Sequence, residues 1–242
     1  MKKLSRIMFC IILAVGLSVS SMGIAEENNS RLTMDGFEQV PAKLMVAGHE
    51  VETTIALRKT GTALDNGEPV ETFTADVSVD FGFNKDGEIV PVSRIQPKGS
   101  MTDSSTYVSS AFRWNGTLSY SRKTINNQTC YKPTKYSHKI TVLDSQFSLT
   151  GLNLHGGAVG FAYNSDGTNR GMRSTGDRAK SVSSPTSGAS YSNSYSTSYY
   201  FISTSGTKIN TYGTFKYKRR LASGGYSQVY TSPEFDVTLL DK

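Results

Sequence analysis

From Phe73 to Phe83 the chain reads FTADVSVDFGF. Phe73, Ala75, Val77, Val79, Phe81 and Phe83 are apolar, and every residue between them is polar or glycine. Strand side chains alternate faces, so this run has one apolar and one polar face. A helical period would scatter the same residues round a cylinder. The pattern predicts a long, half-buried strand in an antiparallel sheet.

Weaker patterns extend the sheet in both directions. Residues 32–46 are irregular and interrupted by Pro41, which reads as a short edge strand or coil. Val51, Thr53, Ile55 and Leu57 alternate as a strand, and Asp65-Asn66-Gly67 supplies the turn of the connection that follows. Asn84 to Gly87 turns the long strand into a return over 89–95, where Pro91 marks an edge or a bulge. Asn115-Gly116, between two alternating runs, predicts a hairpin with Trp114 at its end on the apolar face. Strands follow over 135–143, from Phe147, and through Val159, Phe161 and Tyr163, with a turn region over 151–157.

Residues 164–189 are rich in Ser, Gly, Asn, Thr and Arg and nearly free of large apolar side chains, which predicts a long flexible loop. Tyr191, Tyr195, Tyr199 and Phe201, then Ile209, Phe215 and Tyr217, predict a second long hairpin over 190–218. Phe235, Val237 and Leu239 close the sheet. The fold expected is all-β: an antiparallel β-sandwich-like domain of roughly ten to twelve strands, which the long strands allow to be elongated.

The first residues change the domain picture. MKKLSR is basic, Ile7 to Val19 is an apolar core, and Gly23 and Ala25 are small at the positions before Glu26. That order predicts a signal peptide over 1–25, a mature single all-β domain over 26–242, and a secreted, extracellular location. The apolar run is shorter than the ~20 residues of a spanning helix, and nothing later in the sequence is apolar enough for one. Cleavage removes Lys2, Lys3 and Arg6 from 26 basic against 20 acidic residues, leaving +3, too mild a charge to imply nucleic acid. It also leaves one cysteine, Cys130, so no internal disulfide is expected.

Candidate chemistry is sparse. His49, His138 and His155 are dispersed, without metal-ligand spacing, and no metal or cofactor is expected. His155-Gly156-Gly157 resembles an esterase oxyanion loop, but no G-x-S-x-G elbow accompanies it, and the glycines read as a turn. Asp76 and Asp80 share the polar face of the long strand at a spacing of ~13 Å, beyond either glycosidase geometry, and read as solvated. Asn84-x-Asp86-Gly87 and Asn164-x-Asp166-Gly167 are fragments of calcium loops without the full ligand series. Trp114 reads as core, with a sugar-stacking platform as the alternative.

What remains is a basic, aromatic cluster: Lys216, Tyr217, Lys218, Arg219 and Arg220, to which Lys132, Lys135, Lys139, Arg122 and Lys123 would add were they close in space. Such a cluster suits an anionic cell-surface glycan, a wall polymer or lipid headgroups, although lysines on exposed strands also serve simply to block edge aggregation. Without a catalytic constellation, the expectation is a secreted bacterial non-enzymatic binding or surface-interaction protein. One alternative is a β-pore-forming protein inserting Ser/Thr-rich amphipathic hairpins; another is a secreted hydrolase whose site is scattered over loops.

Overall fold

The computed structural model describes residues 37–46, 49–83, 89–92, 110–204 and 206–241. The leader and the 84–88 turn therefore lie outside the described residues, and for 37–46, 49–52 and 240–241 the backbone alone is described. The protein is all-β. Its strands are β1 (Phe37–Val46), β2 (His49–Asp65), β3 (Glu68–Phe83), β4 (Ile89–Val92) and β5 (Phe112–Ile125). There follow β6 (Gln128–Val142), β7 (Phe147–Tyr163), β8 (Asn169–Ser174), β9 (Arg178–Ser183) and β10 (Ser190–Ser194). The last are β11 (Tyr200–Ile202), β12 (Lys208–Arg219), β13 (Tyr230–Thr231) and β14 (Phe235–Asp241).

All pairings are antiparallel, and one hydrogen-bonded network joins every strand. Long strands are flanked by relays of shorter ones. β3 has β5 on one edge, with β2 and then β4 on the other. β6 has β5 on one edge, with β10 and then β11 on the other. β12 lies along β7 on one edge and meets β14 and then β13 on the other. The network folds back on itself but is not closed into a barrel. Its two layers are stitched at their borders by short contacts: β1 meets β14 only at Met45–Asp236 and Val46–Phe235, and β11 meets β6 only at Phe201–Tyr131 and Ile202–Cys130.

The core lies between the layers. Phe81 of β3 packs edge-on against Phe215 of β12 at 6.1 Å, Phe112 of β5 meets Phe215 at 4.9 Å, and Trp114 meets Phe235 of β14 at 4.3 Å. Val77, Val79 and Phe81 are buried, as the alternation of the long strand predicts. Trp114 is fully buried, so its role is packing.

Several expected turns are not turns. Asn115 and Gly116 sit inside β5; a Cβ on Gly116 would lie 2.5 Å from the Trp114 ring, so the missing side chain makes room for the indole. The chain reverses instead at Asn126-Asn127, both left-handed at φ 50° and 61°. Gly156 is likewise inside β7, where a Cβ would lie 2.5 Å from the Tyr136 ring. The 151–157 turn and the turn reading of His155-Gly156-Gly157 are corrected accordingly. The 164–189 segment contains β8 and β9, both paired to β7. They add backbone hydrogen bonds at an edge without burying an apolar face, so no hydrophobic alternation announced them.

The 190–218 hairpin also dissolves. β10 and β11 both lie along β6, while β12 pairs with β7 and β14. The break between β10 and β11 falls where Tyr195 N donates to Thr134 O at 3.2 Å, next to Pro133, which has no N–H to continue the ladder. Ser196, left-handed at φ 52°, turns the chain away there.

Candidate functional site

The basic cluster spans both faces of β12 and runs one residue past its end, to Arg220. Tyr217 is buried and belongs to the core: its ring stacks on Tyr230 at 5.7 Å and packs against Phe112 at 5.1 Å and Phe83 at 5.9 Å. Lys216 and Lys218 alternate with it and lie toward the outside. The Lys218 ammonium sits 4.2 Å from the ring centroid of exposed Tyr226, a cation–π contact. The Arg219 guanidinium lies 5.8 Å from the Phe147 centroid and donates to Gln146 Oε1 at 3.2 Å. Exposed Arg220 donates its backbone N–H to Gln146 O at 2.6 Å and forms a bridge with Tyr226.

Two connections therefore build this end of the sandwich: residues 143–146 between β6 and β7, and 220–229 between β12 and β13. None of Lys216, Lys218, Arg219 and Arg220 has a carboxylate partner among the described residues. The run 216–230 contains no acidic residue, and Asp144 in the neighbouring connection is held by Gln146 N. The 220–229 connection also exposes side chains that water does not favour: Leu221 is 45 % exposed, Tyr226 52 % and Val229 54 %. Sequence reading found the charges but not these partners, because an isolated Leu or Val in a glycine-containing connection carries no periodicity.

The other basic residues do not join this cluster. Lys132 pairs with Asp65 at 2.9 Å and Arg122 with Glu71 at 2.8 Å, while Lys123 donates to Ser165 O at 3.2 Å. Burial pulls the Asp65 carboxyl up, but hydrogen bonds from Tyr200 and Lys132 outweigh it and leave it below the usual carboxylate value. Asp80 is not solvated as expected: it is buried and takes a bidentate pair from Arg113 at 2.7 and 3.0 Å. Asp76 accepts from Thr117 Oγ1 at 2.5 Å.

The remaining polar candidates resolve into structural roles. His138 is fully buried, and burial pushes its imidazole down to about 3. His155 stacks on Tyr212 at 4.8 Å, and its Nδ1 is 2.8 Å from Asp177 Oδ2. Burial, helped by Asp177, raises the Tyr212 hydroxyl to about 12. The Thr211 hydroxyl on the neighbouring strand does not engage this His–Asp pair: it donates to the carbonyl of His155 and faces His138 within the core. Cys130 is buried and its thiol is pushed up to about 11 by desolvation, the setting of an inert cysteine. Asp166 accepts the Thr168 N–H at 2.9 Å while Gly167 takes φ 87°, so turn chemistry accounts for that fragment.

A second feature lies at the opposite end, where the β2–β3, β5–β6 and β7–β8 turns converge. Lined by Asn66, Asn164, Asp166, Arg170 and Tyr199, a cavity of 340 Å³ opens there. Its residues are separated by up to 133 positions of sequence and share no motif, so nothing in the sequence links them. No family model, curated protein or solved structure matches this chain.

Proposed function

We propose that this chain is an exported, non-enzymatic binding protein that docks onto an anionic lipid surface through the β12–β13 end. The carrying observation is four cations without a carboxylate partner among the described residues, at the end of β12 and just beyond it, beside a connection that exposes Leu221, Tyr226 and Val229. Cations near an anionic bilayer contribute about 1 kcal/mol each, falling off within a Debye length. Aliphatic and aromatic side chains add the burial that a purely charged glycan site would not need. Those apolar side chains favour lipid headgroups over a soluble acidic glycan or wall polymer.

Two arms of one experiment test this. Full-length mature protein should sediment with phosphatidylcholine vesicles containing phosphatidylserine and stay in solution with phosphatidylcholine alone or at high salt. Lys218→Gln with Arg220→Gln, and separately Leu221→Ser with Val229→Ser, should each weaken sedimentation. If the Ser pair leaves it unchanged while heparin competes it away, the partner is a polyanion and the lipid reading falls. Release of a dye trapped in the vesicles would replace docking with the pore alternative. Export is checked by intact mass, which should place the mature N-terminus within a few residues of Glu26.

A further inference from the structure

The cavity at the other end is assembled from three separate connections. Asn66 comes from the β2–β3 turn, Asn164 and Asp166 from the β7–β8 turn, and Ser198 and Tyr199 from the linker ahead of β11; Arg170 projects from β8. These walls are braced against one another. The Asn66 amide donates to the Ser165 hydroxyl, Asn126 Nδ2 donates to Gly167 O at 3.1 Å, and Gly167 N donates to Asn164 O at 3.1 Å. The Arg173 guanidinium stands 5.9 Å from the centroid of Tyr199 and supports that ring. Lys123 ties the floor through Ser165 O. A site held this way loses little freedom when a ligand enters.

The lining chemistry narrows the ligand. Two amides, two serine hydroxyls, a carboxylate and a guanidinium supply both donors and acceptors around one aromatic ring. Asp166 and Arg170 line the cleft with opposite charges, and hydrogen bonds from Thr168, with a small contribution from Arg170, hold the Asp166 carboxyl below its usual value. Among the lining residues these are the only two charges and they oppose one another, so the lining itself selects neither a lone anion nor a lone cation. A ligand whose groups each donate and accept, and which offers an apolar C–H face to a ring, fits best. The volume of 340 Å³ is at the low end of the roughly 300–1,000 Å³ of small-molecule sites. We infer that this cleft binds a neutral saccharide unit, with the Tyr199 ring as its platform and Asn66, Asn164, Asp166 and Arg170 as its hydroxyl partners. This inference is independent of the lipid reading, because the cleft and the basic cluster stand at opposite ends of β7.

Saturation-transfer NMR on the full mature protein tests it, with methyl β-glucopyranoside, methyl β-galactopyranoside, methyl α-mannopyranoside and N-acetylglucosamine as probes. At least one should receive transfer and bind with a dissociation constant in the millimolar range or tighter, roughly 4 kcal/mol or more. Tyr199→Ala and Arg170→Ala should each weaken that binding at least tenfold. Arg170 is exposed, so its substitution keeps the test sound if Tyr199→Ala unfolds. Lys218→Gln with Arg220→Gln should leave sugar binding unchanged. The inference is overturned if no probe receives transfer at about 10 mM, if both cleft variants bind as well as wild type, or if glucuronic acid outcompetes every neutral sugar.

Discussion

His138 offers a stability measurement whose size follows from its surroundings. The ring is fully buried, among Trp114 at 5.5 Å, Phe235 at 5.5 Å and Tyr136 at 6.2 Å. The Thr211 hydroxyl donates to His155 O at 2.8 Å, so toward His138 it can only accept, and the 2.7 Å contact fixes the proton on Nε2. Nδ1 is then a bare acceptor with no partner among the described residues. Protonating it would place a positive charge between aromatic rings with no anion facing it. The folded ring is held to about 3, against 6.5 when unfolded. Between those values the unfolded chain binds a proton that the folded chain does not, so stability falls as pH falls, by about 1.4 kcal/mol per pH unit.

From pH 6.5, where the unfolded ring is already half protonated, to pH 5, above the range where ordinary carboxylates titrate, that amounts to about 1.6 kcal/mol. Urea unfolding reads it as a shift of about 0.8 M in midpoint at a slope near 2 kcal/mol per molar. His138→Gln keeps an N–H for Thr211 and removes the titration, so its midpoint should stay nearly level over the same interval. His49 and His155 are common to both proteins and cancel in the comparison. Parallel pH profiles for the two proteins would refute the argument, as would an NMR titration of His138 near pH 6.5.

Three further outcomes follow from packing. Gly116→Ala puts a methyl 2.5 Å from the Trp114 ring and should cost about 1–3 kcal/mol, seen as a lower Tm with quenched or shifted tryptophan fluorescence. Phe81→Ala, at a fully buried position, should cost about 3–5 kcal/mol in chemical unfolding, whereas Ser78→Ala on the other face of the same strand should cost far less. Cys130, buried and with its thiol pushed up to about 11, should resist a thiol reagent at pH 8 until the protein unfolds.

The legible part of the fold is the part that rests on alternation. Phe73 to Phe83 announced a strand because its apolar residues alternate with polar ones, and β3 carries the matching burial from Ala75 to Val79, after which Asp80 on the polar face is buried as well. Glycine misled because its two uses look alike in sequence. Gly67 follows Asn66 into a left-handed hairpin turn, whereas Gly116 and Gly156 lie in extended strands to admit Trp114 and Tyr136. The ring that needs the space comes from two residues back in one case and from a neighbouring strand in the other. β8 and β9 were illegible for a different reason: backbone pairing at an edge asks little of side chains. At the candidate sites, consecutive cations could be read directly from 216 to 220, but Tyr217's turn into the core depended on which face of β12 the second layer covers. The cavity at the far end depended on turns meeting in space.

The stitched borders of the sandwich also bear on when the protein can finish folding. Met45 and Val46 find their partners at Asp236 and Phe235, nearly the whole described chain away. β12, which lies between β7 and β14, is itself among the late strands. As the chain emerges from N- to C-terminus, β2, β3, β5 and β6 can form consecutive hairpins, but the faces of Phe81, Phe112 and Trp114 lack their covering layer until Phe215 and Phe235 arrive. Such long-range closure favours slow folding and a late cooperative step. During synthesis, the aromatic side chains that become the core remain open to capture by a chaperone until the last strands are delivered.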